Sequence, residues 1–96
     1  MSGVMDEVMA KRREVAELVK SCAGRSIAVF GSVARGDESE SSDIDFLVEF
    51  EPGSSLFDLL HLQDALADLF GRPVDVVSAG GLKERDRHIR REAVAL

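Results

Sequence analysis

The chain has 96 residues, of which 45% are hydrophobic and 31% are charged, and its formal net charge is −6. This composition excludes an intrinsically disordered chain, which would combine low hydrophobicity with high charge, and this length allows one compact domain, which we expect to span residues 1–96. The excess of acidic residues also argues against a protein that binds nucleic acid by neutralising its phosphates.

Two predicted elements precede an acidic loop. Apolar residues recur at helical spacing from about Met5 to Cys22, which predicts a first helix. The short run from Ile27 to Phe30 predicts a buried strand that is stopped by Gly31. After a loop rich in serine, glycine and acidic residues, the segment from Asp43 to Phe50 predicts a second strand.

The second half of the chain predicts a helix, a strand and a final helix. Ser55, followed three residues later by an aspartate, begins a helix with apolar spacing over residues 56–70. Val74 to Val77 predicts a third strand, Gly80-Gly81 a turn, and Leu82 to about Val94 a charged helix. This order indicates an α/β (α+β) domain in which a small mixed sheet is flanked by helices. A right-handed crossover makes the strands that begin at Asp43 and Val74 neighbours.

The start of the chain and its cysteine content predict a cytoplasmic protein. Cys22 is the only cysteine, so no disulfide can form within the chain. Charged residues interrupt the first fifteen positions, so no apolar signal segment is recognised there. No run approaches the roughly 18 apolar residues that a membrane span needs.

The pair Asp43 and Asp45 is the first candidate for chemistry. Two residues apart on a strand, both carboxylates point to one face, while Ile44 and Phe46 point to the other. The two negative charges repel unless water screens them or a cation such as Mg²⁺ bridges them. Nine aspartates in this chain give about one such pair by chance, so the pair alone is weak support.

Two further features give that pair its context. At Gly31-Ser32 the first strand turns sharply, and exposed backbone N–H groups at such a turn attract phosphate; a turn that only caps a helix is the alternative. Asp75 lies within the apolar run VDVV, which we interpret as a buried strand. A buried aspartate is costly unless it is paired or binds a metal, so Asp75 needs a partner and is expected near Asp43 and Asp45.

These residues resemble the minimal nucleotidyltransferases of the DNA polymerase β superfamily, and in particular the antitoxins of HEPN/MNT toxin–antitoxin systems. The resemblance rests on Gly31-Ser32, ten intervening residues and Asp43-Ile44-Asp45, within GSVARGD and SDIDFLVEFEPG. It extends from about Ile27 through LFGRPVDVVS to the closing IRREAVAL. It implies the minimal fold of that superfamily.

The resemblance also implies a role for each matching residue. Gly31 and Ser32 would hold the phosphates of ATP, and Asp43 and Asp45 would bind two Mg²⁺ ions. Asp75 would share one metal and help to deprotonate the attacking hydroxyl. For Arg35, binding of the triphosphate or a partner and a plain solvated charge are equally good interpretations.

The resemblance further implies a protein partner, because the chain has no room for a separate acceptor-binding domain. This partner would be a HEPN ribonuclease toxin, which the chain would silence by transferring AMP from ATP to a hydroxyl, typically of a tyrosine. One alternative is an antitoxin that acts only by binding, with a vestigial site. Another is an enzyme that modifies RNA or a small molecule, although the net charge of −6 counsels against RNA.

Overall fold

A computed structural model describes residues 3–37 and 43–96. Residues 38–42, which hold most of the predicted acidic loop, lie outside the described residues. The elements in chain order are α1 (Val4–Ala10), α2 (Arg12–Ser21), β1 (Gly24–Phe30), α3 (Gly31–Arg35), β2 (Ile44–Phe50), α4 (Leu56–Phe70), β3 (Val74–Ser78), α5 (Arg87–Glu92) and β4 (Val94–Ala95). Two short 3₁₀ helices, Ala79–Gly81 and Glu84–Asp86, connect β3 to α5.

The four strands form one mixed sheet in the order β3-β2-β1-β4. The neighbours β2 and β3 are parallel, as the strand–helix–strand order predicts, whereas β1 is antiparallel to both β2 and β4. The crossover helix α4 begins at the predicted capping box, where the Ser55 amide donates to Asp58 Oδ2 at 2.9 Å. It ends before Gly71, whose φ of 64° is typical of a helix C-terminus.

The two faces of the sheet are covered very differently. One face carries the main core, where Ile44, Phe46 and Val48 of β2 are fully buried against residues of α1, α2 and α4. The other face has only a small buried cluster, made of Phe30, Leu47 and Ala79. Because side chains alternate along β2, Asp45 lies on this thinly covered face, next to Leu47 in the alternation.

The predicted first helix is interrupted. Lys11 separates α1 from α2 with a φ of −105° and a ψ of 15°, outside the helical range. Its ammonium group donates to the Leu69 carbonyl at 3.0 Å and lies 5.5 Å from the centre of the Phe70 ring. We attribute the break to this contact with the end of α4, which apolar periodicity along residues 5–22 does not record.

The predicted C-terminal helix over residues 82–94 is wrong at both ends. Its first turns are a separate 3₁₀ helix, α5 spans only Arg87–Glu92, and the chain then extends as β4. In β4, Val94 pairs with Val29 and Ala95 with Ala28. Pairing with the free edge of β1 therefore overrides the helical pattern. No helix in the described part of the chain is long and apolar enough to cross a membrane.

Candidate active site

The pairing of β2 with β3 brings two of the predicted carboxylates side by side. Asp45 and Asp75 are direct partners in the parallel register, on the thinly covered face of the sheet. Asp43 immediately precedes β2 and is exposed. Two residues before Asp45, it falls on the same side of the extended chain. The structure thus places all three carboxylates at one edge of the sheet, the end at which β2 and β3 begin.

The turn after β1 closes against this edge. Phe30, the last residue of β1, pairs with Asp45 in the antiparallel register, so Gly31 follows directly beside Asp45. Gly31 is buried and has a φ of 75°, a value that favours glycine. A Cβ at Gly31 would come within 3.0 Å of Asp45 Oδ2, which is too close for any real side chain. A side chain at residue 31 would therefore have to displace either the turn or the Asp45 carboxylate.

Asp75 corrects one expectation from the sequence. The run VDVV was interpreted as a buried strand, but Asp75 is exposed, between the buried Val74 and Val76. The main core covers only one face of β3, and Asp75 points away from it. Asp75 therefore does not need a partner to offset burial. Instead, its exposure leaves the carboxylate accessible to a hydroxyl group from solvent or from another molecule.

Asp45 is the carboxylate most perturbed by its surroundings. Partial burial raises the pKa of Asp45 above its ordinary value of 3.8, and the negative charges of Asp75 and Asp43 raise it further. The positive charge of Arg35 lowers the pKa of Asp45, and Glu92 adds a smaller upward effect. The three carboxylates therefore act on one another electrostatically.

The sequence predicts that the backbone amide of Gly31 is open to an anion, but in the structure this amide already has a partner. It donates to Glu92 Oε1 at 3.1 Å, and Glu92 comes from the end of α5. Arg35 Nη1 lies 3.3 Å from both oxygens of the same carboxylate. Ser32, at the start of α3, is half-buried. Sequence reasoning missed Glu92; the pairing of β4 with β1 would have revealed it, but two residues are too few for a strand pattern.

The carboxylates suit Mg²⁺ in kind, although they do not form a closed site. Mg²⁺ is held in proteins by one or two carboxylates together with water and substrate phosphates. Across residues 3–37 and 43–96, no three His, Cys, Asp or Glu side chains converge closely enough to hold a metal ion. Like charges repel, so bringing the carboxylates closer together would need a cation between them. The residues therefore fit Mg²⁺ as carboxylate ligands that a nucleotide would complete.

Replacing Asp45 with asparagine is expected to stabilise the metal-free protein at neutral pH. A folded-state pKa above the unfolded value means that the group favours folding when protonated, and that this contribution is lost as pH rises through the folded pKa. The Asp45→Asn variant stays neutral, so its melting temperature should exceed that of the wild type near pH 7. The difference should shrink near pH 4, where Asp45 takes up a proton.

The measurement is thermal unfolding at both pH values in the presence of a chelator. Asp64→Asn is the matched control, because it makes the same chemical change at an exposed position on α4. A neutral-pH melting temperature for Asp45→Asn below that of wild type would contradict a raised pKa for Asp45 in the folded protein.

The sequence of the chain matches a known protein family. Residues 8–95 match the family described as nucleotidyltransferase domain. The protein adenylyltransferase MntA of Thermococcus cleftensis is 43% identical over 67 residues, which cover 70% of this chain and 68% of that protein.

Solved structures share the fold. A candidate minimal nucleotidyltransferase superposes with a TM-score of 0.84 at 43% identity, over 95% of this chain and 94% of that one. An MNT antitoxin in complex with a tri-AMPylated HEPN toxin of Shewanella oneidensis has a TM-score of 0.68 at 17% identity, over 91% and 69% of the respective chains. At that identity the second likeness shows the fold alone.

Proposed function

Because the chain belongs to the nucleotidyltransferase domain family and is an enzyme of that class, we propose that it is an antitoxin that transfers AMP from ATP to a cognate HEPN ribonuclease toxin. The acceptor is a hydroxyl of the toxin, in our proposal that of a tyrosine. The observation that carries the proposal is the in-register pair of Asp45 and Asp75 beside the Gly31 turn. It supports the proposal because the carboxylates would then lie beside the turn that we propose to hold the phosphates.

In the proposed mechanism, Ser32 and Arg35 bind the triphosphate at the start of α3. The hydroxyl and amide of Ser32 donate hydrogen bonds to phosphate oxygens, and the guanidinium of Arg35 offsets their charge. Gly31 contributes by its missing side chain, which lets the turn lie against Asp45. These contacts hold the α-phosphate beside the three carboxylates.

The carboxylates then serve the transfer step. Asp43 and Asp45 would hold Mg²⁺, with Asp75 as a further ligand, and two such ions would supply charge stabilisation at the attacking and leaving oxygens. The exposed Asp75 accepts the proton of the acceptor hydroxyl. The acceptor oxygen bonds to the α-phosphorus, the bond from that phosphorus to the bridging oxygen breaks, and pyrophosphate leaves.

The acceptor in this proposal is a protein. The support is the name of the Thermococcus cleftensis relative, a protein adenylyltransferase, together with the AMPylated toxin in the complex that shares this fold. The chain's negative charge also disfavours RNA as the acceptor.

The decisive experiment combines the purified chain, ATP, Mg²⁺ and the protein encoded beside it, and weighs both proteins by mass spectrometry. The expected result is a mass gain on the partner equal to one or more AMP groups, absent when Mg²⁺ is chelated. A stable complex with no mass gain would overturn the enzymatic proposal in favour of inhibition by binding alone. A gain on added RNA, with none on the partner, would overturn the protein acceptor.

A further inference from the structure

Glu92 joins two groups that the proposed nucleotide site uses. Its carboxylate accepts a hydrogen bond from the Gly31 amide at 3.1 Å. Both of its oxygens lie 3.3 Å from Arg35 Nη1. Gly31 and Arg35 are the two ends of the five-residue helix α3. One carboxylate thus spans the helix from which Ser32 and Arg35 reach the phosphates.

Glu92 lies close to the sheet. It is the last residue of α5, two residues before Val94 of β4, which pairs with Val29 of β1. The next residue, Ala93, packs against the small cluster on the same face as Asp45. The side chain of Glu92 is 25% exposed, against 50% for Arg35. Glu92 is therefore the more buried member of the pair.

We propose that Glu92 is a positioning residue for triphosphate binding. It holds Arg35 and the start of α3 in the positions from which they contact the phosphates. The inference rests on the proposed function, because it assigns a second role within the same nucleotide site. Of the two interpretations of Arg35, the proposal adopts the nucleotide contact.

The physical reason is preorganisation of a long side chain. A free arginine loses rotamer freedom when it binds phosphate, whereas one already held by Glu92, and through Nε by Asp37 at 3.3 Å, loses less. A guanidinium has five N–H donors on three nitrogens, so contact with Glu92 is compatible with contact with a phosphate. Losing this preorganisation corresponds to about five- to tenfold weaker binding.

The test measures binding of a non-hydrolysable ATP analogue with Mg²⁺ to the whole chain by calorimetry. The variants are Glu92→Ala, Arg35→Ala and the double variant. We expect each single change to weaken binding, and the loss in the double variant to be smaller than the sum of the two single losses but larger than that of Arg35→Ala alone, because Glu92 also holds the Gly31 amide. Glu92→Gln, which keeps an acceptor for the Gly31 amide but loses the charge, should fall between wild type and Glu92→Ala.

Glu84→Ala is the matched control. Glu84 lies in the short 3₁₀ helix just before α5 and forms an exposed ion pair with Arg87. It should leave binding unchanged. Additive losses in the double variant would overturn the inference, since Glu92 would then act independently of Arg35. Tighter binding by Glu92→Ala would also overturn it, since Glu92 would then compete with phosphate. If the wild type binds no analogue, the proposed function fails, and the inference fails with it.

Discussion

The Asp45→Asn variant is expected to transfer AMP about a thousandfold more slowly than the wild type. The change removes a proposed metal ligand, together with its negative charge, from between Asp43 and Asp75. Loss of about 4 kcal/mol of transition-state stabilisation, within the range of metal-assisted catalysis, corresponds to this factor. The rate is measured by mass spectrometry of the partner under single-turnover conditions.

The same variant is also expected to be more stable near neutral pH, so a loss of activity could not be ascribed to unfolding. The control is again Asp64→Asn, which should keep the wild-type rate. Complex formation with the partner should survive in both variants. Undiminished transfer by Asp45→Asn would remove Asp45 from the chemistry and with it the proposed arrangement of metal ligands.

The Gly31→Ala variant is expected to lose both stability and nucleotide binding. An alanine at a φ of 75° is strained by about 1 to 2 kcal/mol, and its Cβ would press on the Asp45 carboxylate, which adds an overpacking cost of about 1 to 3 kcal/mol. Relief of that clash must move either the turn or Asp45. Both movements disturb the site that the ATP phosphates are proposed to occupy.

Gly36→Ala separates these two contributions. Gly36 has a nearly equal φ of 78°, but a Cβ there meets no described atom within 4 Å. It should therefore show the strain alone, in urea unfolding and in binding of the ATP analogue. Equal losses in the two variants would mean that contact with Asp45 plays no part in the requirement for glycine at residue 31.

The parts of the structure that the sequence predicts are those governed by local patterns. The capping box at Ser55 and the apolar spacing that follows it predict α4 at its observed bounds, Leu56–Phe70. The parallel pairing of β2 with β3 follows from the helical crossover that joins them. Side-chain alternation then puts Asp43 and Asp45 on the face opposite Ile44, which is buried.

The parts that the sequence does not predict depend on contacts between distant segments. At the break between α1 and α2, Lys11 contacts the end of α4, 58 residues away. Asp75 looks buried because apolar residues flank it, yet burial depends on what covers each face of β3. The place of Glu92 depends on a strand of two residues, too short to have a recognisable period.

The alternation of β2 ties the proposed catalytic role of Asp45 to correct strand pairing. Ile44 and Phe46 complete the core, while the residue between them, Asp45, faces the site. A slip of one residue in the pairing would bury the carboxylate and expose both hydrophobic side chains. Misaligned forms of this sheet are therefore strongly disfavoured. Burial of Ile44 and Phe46, which stabilises the fold, also keeps the Asp45 carboxylate on the opposite face.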